Sequence, residues 1–107
     1  MEKKNLFSDI PLTIKKEIFE VISISRDVKI ERIISKGQTT PAGEWYDQES
    51  NEFVVLLKGR ASLIFEDNNE IYELKPGDCI NIPAHTRHRV EWTDEKTISV
   101  WLAVYYR

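Results

Sequence analysis

Cysteine is almost missing. Cys79 is the only one, so no intrachain disulfide forms and no cysteine cluster holds a metal. A reducing, cytoplasmic setting is the simplest expectation, with Cys79 a buried strand residue rather than a reactive thiol. Histidine is scarce too: His85 and His88 are the only pair. No excess of positive charge exists, with 15 Lys and Arg against 18 Asp and Glu. That balance excludes a strongly basic nucleic-acid surface. No apolar run approaches the roughly 20 residues of a membrane-spanning helix. Met1-Glu2-Lys3-Lys4-Asn5 has charge but no apolar segment after it, so no secretory signal is expected. Linkers, repeats and low-complexity tracts are absent as well, and one domain over residues 1–107 is expected.

What is present centres on Gly77 to His88. Pro76-Gly77-Asp78 reads as a turn, because Pro fixes φ and Gly reaches positive φ at no steric cost. Cys79-Ile80-Asn81-Ile82 reads as a strand with Ile80 and Ile82 on one face. Pro83 ends it, since proline cannot donate to a sheet ladder. A new strand starts at His88, which places both histidines at the mouth of a hairpin.

In chain order, residues 5–11 are an extended lead-in. Thr13 can cap a helix, and Ile14, Ile18, Val21 and Ile22 recur at helical spacing, which predicts one short amphipathic helix ending near Ile22. From Val28 the pattern becomes that of strands: 28–34, 45–48, 52–58, 60–66, 71–74, 79–82, 88–92 and 97–106. In the last of these, Trp101, Ala103 and Tyr105 share one face. Short strands with frequent turns and no second helix predict an all-β barrel or sandwich.

The residues then show a family likeness. The chain resembles a small single-domain bacterial cupin, whose second motif runs Gly-x5-Pro-x-Gly-x2-His-x3-Asn. Gly77, Pro83 and His88 fall on that motif, while His85 stands in place of its second Gly and Trp92 in place of its Asn. Glu52 and Gly59 match the Glu-x6-Gly that closes the first motif. The two histidines usual before that Glu are missing. Their places fall on Tyr46 and Gln48 or, with one more spacing residue, on Trp45 and Asp47. The likeness covers residues 28–106. It implies a cupin-like double-stranded β-helix, a jelly-roll barrel, with the short N-terminal helix laid against it. It also implies a homodimer.

In that register Tyr46, Gln48, Glu52 and His88 converge inside the barrel. Four polar groups in an apolar interior need metal, water, ligand or one another. One reading has Gln48, Glu52 and His88 as metal ligands, a nitrogen–oxygen set suited to Mn, Fe or Ni. Tyr46 and His85 would then be the catalytic groups touching a small-molecule ligand. Dioxygenase-, isomerase- or lyase-like chemistry fits that arrangement. The other reading is a metal-free, hydrogen-bonded cluster in a non-catalytic metabolite-binding or regulatory module. Arg60, Arg87 and Arg89 could clamp an anion, but if His88 points inward its neighbours Arg87 and Arg89 point out. No nucleic acid and no membrane is expected among the partners.

Overall fold

A computed structural model describes all of residues 1–107. It contains eight strands and no α-helix: β1 (Ile18–Ile24), β2 (Val28–Ser35), β3 (Asn51–Lys58), β4 (Ala61–Phe65), β5 (Ile71–Leu74), β6 (Cys79–Ile82), β7 (His88–Thr93) and β8 (Ser99–Tyr106). They form a five-stranded sheet in the order β1-β2-β8-β3-β6 and a three-stranded sheet in the order β5-β4-β7. Every pairing is antiparallel. The inward faces of both sheets meet in one apolar core that includes Ile33, Val54, Leu56, Leu63, Val90 and Trp101. The all-β jelly-roll expectation holds.

The expected N-terminal helix is not there. Its second half is β1, paired with β2 from Ile18↔Ile34 to Ile24↔Lys29. Ile18, Val21, Ile22 and Ile24 are β-branched, so a helix restricts their χ1 while a pleated sheet packs them well. A bulge between Val21 and Ser23 shifts the register. That extra residue breaks the two-residue alternation and lets Ile18, Val21 and Ile22 imitate a helical stripe. The lead-in before β1 is tied down by Arg32. This buried guanidinium donates to the carbonyls of Leu6 (3.1 Å) and Ser8 (2.6 Å) and to Glu20 Oε1 (2.8 Å from Nε).

Two smaller corrections apply. Residues 45–48 are not a strand; only an isolated bridge links Tyr46 to His88. Cys79 is exposed. It alternates with Ile80 and Ile82, and the inward turn of Ile82 puts Cys79 on the outer face. At the β3–β4 turn, Gly59 has φ +93°, and a Cβ there would stand 2.6 Å from Ser99 Cα. Only glycine fits both demands.

Candidate functional site

Strand alternation builds the site. Glu52 and Val54 on β3, His88 and Val90 on β7, and Trp101 and Tyr105 on β8 all turn inward, where they line a small cavity of about 60 Å³ between the sheets. Tyr46 and Gln48 close one side from the loop before β3, and Glu17 and Phe19 close another from the start of β1. Trp45 and Asp47 do not line the cavity, so the loop presents Tyr46 and Gln48 to it.

His88 is the most constrained polar group. It is 4% exposed, with its ring between those of Tyr46 (5.7 Å) and Phe65 (5.8 Å). Its Nδ1 lies 2.7 Å from the Thr86 carbonyl oxygen. A carbonyl only accepts, so Nδ1 carries a proton and donates it. Nε2 is thereby aimed at Glu52 Oε1, 3.4 Å away. That distance is long for a good hydrogen bond. With the ring neutral, a lone pair would face a carboxylate, an arrangement that calls for a proton or a cation between them. Glu52 itself is 6% exposed and makes no hydrogen bond within the protein.

The remaining polar groups have their own supports. Tyr46 exchanges backbone hydrogen bonds with His88, Tyr46 N–H to His88 O at 2.7 Å and the reverse at 3.2 Å, which fixes the loop to β7. Burial pushes the Tyr46 phenol up, and the carboxylates of Glu17 and Glu52 add to this. Tyr105 is pushed up by burial first and then by Glu52 and Glu31. Both phenols therefore stay protonated and act as O–H donors. Glu17 accepts a 2.6 Å hydrogen bond from Ser35 Oγ, which in turn accepts from Trp101 Nε1 at 3.2 Å. Burial raises the Glu17 carboxyl, partly offset by Ser35.

His85 lies apart from this group. It is outside the cavity lining, its side chain 65% exposed, with Nδ1 2.8 Å from Asp47 Oδ1. Its φ of 62° is the left-handed conformation for which the cupin motif uses glycine. Its N–H donates to the Gln48 carbonyl at 2.8 Å, so it holds the Asp47–Gln48 segment at the rim. Arg89 leaves the cavity, stacking on Trp45 at 5.2 Å and pairing with Glu91 at 3.0 Å. Arg87 pairs with Glu66 at 3.0 Å. The sequence reading missed Glu17, placed within the expected helix, and Phe19. It anticipated the face of β8 that carries Trp101 and Tyr105.

The donors His88 Nε2 and Glu52 Oε1 are spaced as two ligands of one ion are when each stands about 2.1 Å from it. No group of three or more His, Cys, Asp or Glu side chains is placed to hold a metal, so a third protein donor would be the Gln48 amide. The chemistry of this set fits an open site for a hard or borderline divalent ion, not a closed tetrahedral one.

Comparison with known proteins agrees with this architecture. Residues 32–105 match the family described as Cupin domain. A solved structure from Ralstonia eutropha JMP134, described provisionally as a mannose-6-phosphate isomerase, superposes with TM-score 0.95 at 42% identity, covering 99% of this chain and 98% of that one. An RmlC-like cupin from Methanocaldococcus jannaschii with a double-stranded β-helix fold superposes with TM-score 0.70 at 20% identity, over 92% of this chain and 86% of that one. L-ectoine synthase of Rhodococcus opacus (strain B4) is 48% identical over 40 residues, 37% of this chain and only 30% of that enzyme. The family match spans most of the chain, and the strand order agrees with it: the protein belongs to the cupin family.

Proposed function

We propose that the cavity binds a small organic molecule beside one divalent ion, Mn, Fe or Ni, held by His88, Glu52 and Gln48. The observation that carries this reading is the pairing of His88 Nε2 with a buried, otherwise unbonded Glu52 carboxylate at 3.4 Å. Fixing Nδ1 on the Thr86 carbonyl is the outer support that a metal-binding imidazole uses to set its tautomer. The ion would supply Lewis acidity toward a bound oxygen or nitrogen. Tyr46, a protonated phenol at the mouth, would touch the ligand as a proton donor. His85 would act at the rim by positioning Gln48. Isomerase- or lyase-like chemistry would suit this set, and the Ralstonia relative is described provisionally as an isomerase.

The absence of a third charged or imidazole donor favours a second reading, a non-catalytic ligand-binding cupin module. Metal analysis of protein purified without chelator, beside His88→Ala, separates the two. Stoichiometric Mn, Fe or Ni that disappears in the variant supports the metal site. A metal-free protein, even after reconstitution, leaves the binding module. The proposed assembly is a homodimer formed through the outer edge of β1.

A further inference from the structure

We propose that the cavity selects a small organic cation, a molecule carrying an ammonium group, and that Glu17 is the carboxylate that anchors it. This deepens the small-molecule reading above by naming the ligand class.

The charge of the lining carries the argument. Among all the residues that line the cavity, the ionisable acids are Glu17 and Glu52, and no Lys or Arg joins them. Nearby cations are held elsewhere. Arg32 is bonded to Glu20 and the lead-in carbonyls on the outer face, Arg89 lies on Trp45, and Lys29 sits over the Tyr105 ring and pairs with Glu31. Without an ion the lining keeps a net negative charge even with His88 doubly protonated; with a divalent ion on His88 and Glu52, Glu17 is the one lining carboxylate left unengaged. An anionic ligand would meet no Lys or Arg there, and beside Glu17 it would bring like charges together in a low-dielectric pocket, at a large desolvation cost. A sugar phosphate, the substrate class printed for the Ralstonia relative, calls for Arg or Lys contacts that this lining lacks.

Glu17 is built to serve as the anchor. Trp101 Nε1–H can only donate, so Ser35 Oγ accepts from it and turns its own hydrogen toward Glu17 Oε2. Ser35 is fully buried and Trp101 nearly so, which makes this a fixed two-link relay that polarises toward the carboxylate. Only one Glu17 oxygen is used, and the residue lines the cavity. Glu17 does not form a metal-holding cluster with Glu52 and His88, so it stays available when those two hold an ion. Glu52, a carboxylate more than nine-tenths buried beside His88, adds a second negative group to the lining when no ion is held. Phe19, Tyr46, Trp101 and Tyr105 add aromatic side chains to the lining, and aromatic side chains suit an organic cation.

The test uses n-butylammonium, n-butanol, butyrate and mannose 6-phosphate, titrated into the full chain with EDTA and again with Mn²⁺. The readouts are the Trp101 indole N–H resonance, assigned with Trp101→Phe, and the melting temperature. The expected result is saturable movement of that resonance and a raised melting temperature with n-butylammonium alone. Glu17→Gln, which keeps an acceptor for Ser35, should weaken it at least tenfold without altering metal content. Ser35→Ala should weaken it less. Saturation by butyrate or mannose 6-phosphate, n-butanol binding equal to n-butylammonium, or silence from every probe overturns the proposal. Metal content decides the earlier reading separately. Metal retained by wild type and lost by His88→Ala, with butyrate preferred, would sink the cationic ligand alone.

Discussion

Glu17 shows how a single residue can work against stability while serving a site. Its carboxyl is raised above its ordinary 4.5, with burial the main cause. The folded state therefore holds the proton more tightly than the unfolded chain does. Folding is helped below 4.5, and that help is lost as pH rises through the raised folded value. Glu17→Gln removes this loss. The variant should melt higher than wild type at neutral pH and should show a flatter stability curve from about pH 4 upward, as followed by circular dichroism melts across pH. A variant less stable at pH 7 would show that the Ser35 hydrogen bond outweighs the cost of burial. The gain in stability with loss of binding is the trade expected of a functional carboxylate. His88 was legible in the sequence because the cupin motif and strand parity both point it inward. Glu17 was not, because nothing local separates an acid on a helix from one at the start of a strand.

Among the elements, the strands from 28 onward follow their sequence closely, since two-residue alternation and turn residues decide both strand and face. The segment 71–74 and the segment 79–82 fall where the pattern puts them. The N-terminal stretch does not, for a reason no local window contains: β2 leaves an edge that an apolar, β-branched segment can pair with. Arg32 gives this region its second hold. Arg32→Ala deletes the hydrogen bonds to Leu6, Ser8 and Glu20 together with buried packing. The expected loss is about 2–3 kcal/mol, roughly 10 °C in melting temperature, with residues 1–10 cleaved faster by protease. Unchanged proteolysis would mean that the lead-in is held by other contacts. Gly59→Ala should cost a similar amount, about 2–4 kcal/mol in urea denaturation, because it meets positive φ and the Ser99 backbone at once.

At the scale of the whole molecule, the uneven split into five and three strands leaves β1 at the end of the larger sheet with one edge unpaired. Val21 and Ile24 are more than half exposed there, Ile24 at 68%, and Ile22 is partly so. The only acid on the strand, Glu20, is engaged by Arg32. A seven-residue, largely apolar edge without a free charge or proline is a template for pairing. A second copy offers the matching edge, and an antiparallel β1–β1 contact would extend the sheet across both chains. Light scattering should therefore give a mass of about 25 kDa, twice the 12.6 kDa chain. Val21→Lys with Ile24→Lys should return it to one chain while His88 and Glu52, on β7 and β3, keep their places. If the double variant stays dimeric, the contact lies elsewhere. If wild type is monomeric at tens of micromolar, no such pairing forms. Because Glu17, just before β1, and Phe19, within it, line the cavity, a β1 contact would also stiffen one wall of the site. The monomeric variant should then bind n-butylammonium more weakly than wild type, although neither substituted residue lines the cavity.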